Sequence, residues 1–166
     1  HHAGRKQALM WLGARALLSG ASRVHYTSDV EQHRAESALS WLPAGVVIPL
    51  GVDEEFFRER PTDESRWQGP LVVLARLDPK KGIDLAIRAF NEIAPRFPNR
   101  RFVIAGDGEP SYVRELRALA ADGPAAGRVE FAGWIGGADR ARLFASASAF
   151  VLPSAQENFG LSIVEA

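Results

Sequence analysis

Leu71-Val72-Val73-Leu74-Ala75-Arg76-Leu77-Asp78-Pro79-Lys80-Lys81-Gly82 carries the reading of the fold. Leu71 to Leu74 is a short apolar run suited to a buried strand. Ile83, Ala86, Ile87, Phe90 and Ile93 then recur on one face of a helix. A strand therefore feeds a helix through a tight loop. Arg76, Lys80 and Lys81 fall in that loop, where the helix dipole disfavours positive charge by about 0.3 to 1 kcal/mol each. A broken local rule of this kind is expected at functional sites. A bound polyanion reverses the argument, since each of two cations at about 4 Å and an effective dielectric of about 20 gives roughly 4 kcal/mol of gross attraction. The competing reading is a solvated basic loop with Asp78 as its local partner.

The same grammar returns near the C-terminal end. Ala149-Phe150-Val151-Leu152 reads as a buried strand closed by Pro153-Ser154, and Leu161, Ile163 and Val164 begin a helix. Between and within them stands Glu157-Asn158-Phe159-Gly160-Leu161-Ser162-Ile163-Val164-Glu165. The first-turn N–H groups of such a helix suit phosphate, and Gly160 lets the backbone approach a ligand closely. On one continuous helix the two carboxylates would lie about 12 Å apart along the axis. A retaining glycosidase holds its pair roughly 5 Å apart, so a hydrolytic acid and nucleophile are not indicated. Carboxylates flanking a phosphate-binding turn suit a ligand with hydroxyls at both ends and a pyrophosphate between, the shape of a nucleotide sugar. The alternative makes Glu157 a dipole-favoured residue and Glu165 a solvated helix residue.

Apolar strands alternating with amphipathic helices predict an α/β fold, Rossmann-like and doubly wound around a largely parallel sheet, with the ligand at the C-terminal strand ends. Gly106-Asp107-Gly108-Glu109-Pro110 follows a further strand, but Ser111 stands where a dinucleotide fingerprint has its third glycine. Gly137 to Ala149 reads as a small-residue helix around Leu143 and Phe144 leading into the last strand. Asp122-Gly123-Pro124 and Gly136-Gly137 read as turns. Asp53-Glu54-Glu55 opens a short helical turn with Phe56 and Phe57 as its buried residues. Upstream, Lys6 to Leu18 reads as a basic, apolar helix, too short and too charged to span a bilayer. It is suited to packing in a domain or to resting on a membrane surface. Arg23 to Ser28 predicts a strand ending at a helix cap, and Asp29 to Leu39 the helix that follows.

Together these stretches resemble the group 1 family of retaining glycosyltransferases, which have the two-domain GT-B architecture. The resemblance rests on Val47 to Asp53, Ala75 to Asp84, Phe102 to Gly108, Val129 to Trp134 and Phe150 to Ala166, in the family's order. It covers the chain from about Ala44 to its end. Ala75 and Leu50 stand where the family often has glycine and asparagine. The resemblance implies that residues 1–44 are the tail of an acceptor-binding domain and 45–166 an incomplete nucleotide-sugar donor-binding domain. It implies that Arg76 and Lys81 hold the donor diphosphate, Glu157 the hydroxyls of the transferred sugar and Glu165 those of the ribose. Backbone N–H groups at Phe159, Gly160 and Leu161 would meet the sugar and phosphates, and Trp134 and Ile135 would lie beside the nucleobase. Gly106, Asp107 and Asn158 join the donor-binding set. The implied reaction is retaining transfer from a UDP- or GDP-type donor to an acceptor hydroxyl of a glycan, lipid or small metabolite. By that comparison the chain is a fragment, expected to be inactive alone and open to association with another copy. A nucleotide-sugar binding module without turnover and a nicotinamide-dependent oxidoreductase are the alternative functions.

No metal or other cofactor is expected. A departing nucleoside diphosphate carries about three negative charges, and Arg76, Lys81 and half a charge from a helix N-terminus offset about two and a half. No Asp-x-Asp appears that would hold a divalent ion on the diphosphate. His25 and His33 lack a third ligand nearby. His1 and His2 read equally as native residues or as the remnant of a tag. The 166 residues include 20 Lys plus Arg and 20 Asp plus Glu, which disfavours a general nucleic-acid partner. The absence of cysteine removes disulfides and thiol chemistry and fits a cytoplasmic location, including the inner face of the membrane.

Overall fold

The computed structural model describes residues 13, 15–57, 67–155, 157 and 160–166. The chain divides into two compact units, His1–Gly51 and Val52–Ala166. Gly45–Val47 lies in the first of these units, paired in its sheet.

In the first unit, helix α1 (Arg15–Ser19) precedes strand β1 (Val24–Tyr26), helix α2 (Asp29–Ala38) and strand β2 (Gly45–Val47). The strands β1 and β2 pair in parallel. Ser28 caps α2 by accepting the Glu31 N–H at 3.2 Å, while Thr27 donates its N–H and hydroxyl to the Glu31 carboxylate. Those bonds hold the Glu31 carboxyl below its usual range. His25 Nε2 lies 2.8 Å from the Ile48 carbonyl oxygen, so this ring is engaged by backbone.

The second unit opens with the helical turn expected there, a 3₁₀ turn at Glu54–Phe57, in which Phe56 is half-buried rather than buried and the Phe57 side chain lies outside those described. Strands β3 (Leu71–Leu74), β4 (Phe102–Ala105), β5 (Val129–Gly133) and β6 (Ala149–Phe150) follow, with helices α3 (Ile83–Ile93), α4 (Pro110–Ala121), α5 (Gly137–Ser146) and α6 (Leu161–Glu165) between and after them. All four strands are parallel, in the order β5-β4-β3-β6. The α/β expectation thus holds, and the central strands show why. Every residue of β4 is buried, as are Val72 and Val73 of β3, so these apolar runs face packed layers on both sides.

One face of the sheet carries Val73, Phe102 and Ile104 against α3 and α4. Helix α3 contributes Ile83, Ala86, Ile87 and Phe90 at helical spacing, and the Phe90 ring lies 5.4 Å from that of Phe102. Burying each large apolar side chain here is worth about 1.5 to 3 kcal/mol. Ile93, expected on the same face, is 38% exposed because α3 ends there and the chain turns into a 3₁₀ segment. The other face carries a smaller cluster of Val72, Val103 and Ala147 with Leu143 and Phe150. Helix α5 stops at Ser146, short of the expected Ala149, and β6 keeps only two strand residues before one more ladder bond from Val151 N to Val72 O at 2.8 Å. Among the described residues no helix is long and apolar enough to cross a membrane.

Candidate functional site

Strand order fixes the place of the site. The chain proceeds from β3 outward to β4 and β5, then returns to put β6 on the other side of β3. Connections leaving β3 and β6 therefore diverge, opening a crevice at the C-terminal strand ends where α/β sheets receive ligands. The segments that leave these two strands carry Arg76 to Gly82 after β3 and, after β6, Pro153, Ser154, Ala155 and Glu157.

They are joined closely. Lys81 Nζ donates to Glu157 Oε1 at 2.5 Å, and Ser154 Oγ donates to the same oxygen at 2.7 Å. Ala155 N donates to the Lys80 carbonyl at 2.9 Å. Asp78 accepts the Lys80 N–H through its side chain at 3.0 Å, shaping the Pro79–Lys81 turn. Gly82 then takes a left-handed conformation with φ 63°, and a Cβ there would stand 2.5 Å from the Pro153 carbonyl oxygen. Gly82 is also the N-cap of α3, and it supplies no side-chain cap, so first-turn N–H groups of α3 remain for a ligand.

The electrostatics follow from this packing. Burial pushes the Glu157 carboxyl up, but the hydrogen bonds from Lys81 and Ser154 and the Lys81 charge outweigh it and hold the group below its usual range. Much of the Lys81 charge is thereby spent on Glu157. Arg76 is exposed, as is Lys80, and neither forms an ion pair among the described residues. The two loops thus present the exposed Arg76 and Lys80 side chains beside one compensated Lys81–Glu157 pair.

Glu165 is 6% exposed, which removes its reading as a solvated helix residue. Arg140 Nη2 meets its Oε1 at 3.0 Å. Burial pushes the Glu165 carboxyl up, Arg140 opposes that, and Asp53 adds to it, leaving the group above its usual range.

Gly106 leaves β4 with φ 132°, donates its N–H to Gly133 O at 2.7 Å, and sits where a Cβ would be 1.9 Å from the Ala75 carbonyl oxygen. Close packing of strand ends accounts for this glycine. Asp107 is exposed, and its carbonyl accepts the Leu77 N–H at 2.8 Å, which keeps it alongside the Arg76 loop. Trp134, 75% exposed, and Ile135 follow β5, two strands from β3, or about 10 Å at ordinary strand spacing. They line a cleft of about 570 Å³ with Gly136, Asp139, Arg142 and Leu143. Gly160 is buried and Leu161 begins α6, while Asn158 and Phe159 lie outside the described residues.

Sequence reasoning missed Ser154 and Arg140. Ser154 carries no signal of its own beyond following a strand. Arg140 did leave one, a cation in the first turn of a helix where the dipole disfavours it.

Fold and crevice together define a Rossmann-like ligand-binding domain of the kind that forms one half of a GT-B glycosyltransferase. Residues 54–166 match the family described as glycosyl transferases group 1, and the chain belongs to that family. It is 31% identical over 157 residues to the GDP-mannose-dependent alpha-(1-6)-phosphatidylinositol monomannoside mannosyltransferase of Mycolicibacterium smegmatis. That match covers 90% of this chain and 41% of the relative's length. Among solved structures, Anabaena HepE in complex with UDP and glucose aligns over 96% of this chain and 46% of its own, with a TM-score of 0.76 and 22% identity. The C-terminal domain of a glycosyl transferase group 1 family protein (LpcC) from Francisella tularensis aligns over 70% of this chain and 65% of its own, with a TM-score of 0.60 and 22% identity. These structural likenesses establish the fold. Family membership also displaces the nicotinamide-dependent alternative.

Proposed function

We propose that this chain is the donor-binding part of an enzyme that moves a sugar from a nucleoside-diphosphate sugar to an acceptor hydroxyl. The observation that carries the reading is the convergence of Lys81 and Glu157, from loops on either side of the switch point, beside the uncapped start of α3 and the uncommitted Arg76. In this reading residues 1–44 are the tail of the acceptor-binding domain and 45–166 belong to the donor-binding domain.

Arg76 and Lys81 hold the diphosphate and stabilise the charge of the leaving group. Glu157 accepts hydrogen bonds from hydroxyls of the transferred sugar. Glu165 accepts them from the ribose, and Trp134 and Ile135 flank the base. Gly106 and Asp107 shape the neighbouring strand exit, Gly160 and Leu161 meet the sugar and phosphates, and Asn158 and Phe159 join the donor-binding set by the family resemblance. The bond from the anomeric carbon to the diphosphate oxygen breaks, the acceptor oxygen bonds to that carbon with retention, and the acceptor proton passes to the departing phosphate. Arg76, the α3 N-terminus and Lys81, whose charge Glu157 shares, supply positive charge at the leaving group, and the transfer is read as independent of a divalent metal. The M. smegmatis relative is named for GDP-mannose and a phosphatidylinositol monomannoside, and HepE is complexed with UDP. Both donor bases therefore enter the test, with a lipid-linked inositol glycoside as one acceptor class.

Calorimetric titration with UDP and GDP, with and without magnesium, checks the assignment. One nucleotide binds without metal, and Arg76→Ala and Glu165→Ala each weaken it. Undiminished binding to both variants would remove the site from this crevice.

A further inference from the structure

Among the described residues, Glu165 is the one buried charged side chain. A carboxylate in such a setting is costly unless a cation and hydrogen bonds compensate it. Its own helix, Leu161–Glu165, contains no basic residue. The cation comes instead from α5, through the 3.0 Å contact of Arg140 Nη2 with Glu165 Oε1.

Local helix formation does not explain Arg140, since it stands in the first turn of α5, against the dipole. Its surroundings do. The Arg140 guanidinium lies over the Phe56 ring at 5.1 Å. Phe56 meets Phe144 at 6.0 Å, and Phe144 meets Phe150 at 5.3 Å, both edge-on. Three elements, the 3₁₀ turn, α5 and β6, thus contribute to an aromatic cluster on which the guanidinium rests through Phe56. Arg140 Nε is buried and lacks a hydrogen-bond partner, so the stack and the Glu165 carboxylate hold the group in place.

Arg140 takes one carboxylate oxygen of Glu165, and among the described residues no other ion pair engages the second. The charged groups acting on Glu165 are Arg140 from α5 and Asp53 from the segment before the 3₁₀ turn, with opposite effects. Removing Arg140 would leave burial and Asp53 both favouring the protonated acid, a poor acceptor for hydroxyl donors.

We propose that Arg140 is a positioning residue for nucleotide recognition, pairing with the buried Glu165 carboxylate and pinning one of its oxygens so that the other receives the ribose hydroxyls. This rests on the donor-site reading in which Glu165 meets the ribose. Arg140 itself touches no ligand.

The test titrates UDP, GDP and their 2′,3′-dideoxy analogues into the wild type, Arg140→Met, Arg140→Lys, Glu165→Gln, the Arg140→Met/Glu165→Gln double variant and Arg76→Ala, between about pH 5 and about pH 8. Arg140→Met is expected to bind the ribonucleotide about tenfold more weakly near neutral pH, with affinity recovering as pH rises and the unpaired carboxyl ionises. Arg140→Lys restores part of the loss. In the Glu165→Gln background, Arg140→Met adds no further loss, because the carboxylate it serves is gone. The dideoxy analogue binds wild type and Arg140→Met alike. Unchanged ribonucleotide affinity in Arg140→Met, or an equal loss for ribo- and dideoxynucleotide at every pH, overturns the proposal. Unchanged binding of every nucleotide to Arg76→Ala overturns the donor-site reading, and this proposal with it.

Discussion

Lys81 Nζ stands 2.5 Å from Glu157 Oε1, so two groups proposed to meet different parts of one ligand neutralise each other. In the proposed donor site, a nucleoside diphosphate alone would place phosphate beside a carboxylate that still carries its charge. A nucleotide sugar brings hydroxyl donors that satisfy the same carboxylate.

Glu157→Gln should therefore raise affinity for the bare nucleoside diphosphate by roughly tenfold, about 1.4 kcal/mol, by removing that repulsion and freeing Lys81. The gain for the nucleotide sugar should be smaller, because charge-assisted bonds to its hydroxyls are lost. Paired calorimetric titrations decide it. Equal shifts for both ligands would remove the sugar-facing role of Glu157.

The neighbouring lysines should behave differently. Lys80 uses its backbone to hold Asp78 and Ala155, and its side chain is exposed. Lys81→Ala removes a cation and leaves Glu157 uncompensated beside the diphosphate. Affinity for the nucleoside diphosphate is expected to fall at least tenfold in Lys81→Ala and to change little in Lys80→Ala. Comparable losses in the two would make Lys80 a diphosphate ligand in its own right.

Gly82→Ala strains a left-handed backbone position and sets a methyl group 2.5 Å from the Pro153 carbonyl oxygen. The backbone term alone costs about 1 to 3 kcal/mol. Denaturant unfolding should report that loss, and nucleotide affinity should fall with it as the two loops are pushed apart. A variant of wild-type stability and affinity would show that the loops do not need this close approach.

The two glutamates should give opposite slopes of stability against pH. Glu157 has a lowered pKa in the folded protein, so its contribution is present above the ordinary glutamate value of about 4.3 and is lost as pH falls through the folded value. Glu165 has a raised pKa, so its contribution is present below that ordinary value and is lost as pH rises through the folded one. Thermal unfolding of Glu157→Gln relative to wild type should lose its difference in acid. The corresponding difference for Glu165→Gln should change on the opposite side of about pH 4.3. Parallel differences across the whole range would contradict both environments.

The apolar runs Leu71–Leu74 and Phe102–Ala105, and the spacing of Ile83, Ala86, Ile87 and Phe90, sufficed to identify strands and a core-facing helix, because pleat and helix periodicities are local properties of the chain. Glycine and proline marked the loops for the same reason, and the charge conflict at Arg76, Lys80 and Lys81 marked a candidate site. Tertiary structure alone decided which loops meet. Lys81 and Glu157 are 76 residues apart in sequence, and only the return of β6 to the free side of β3 makes them neighbours. The burial of Glu165 and its pairing with Arg140 of α5 were likewise settled by contacts between distant segments, and the exposure of Ile93 by the point at which its helix ends. Periodicity records which face of an element is apolar. The partner that covers that face, and the charge that must then be compensated beneath it, arise from contacts between segments too distant for any local pattern to encode.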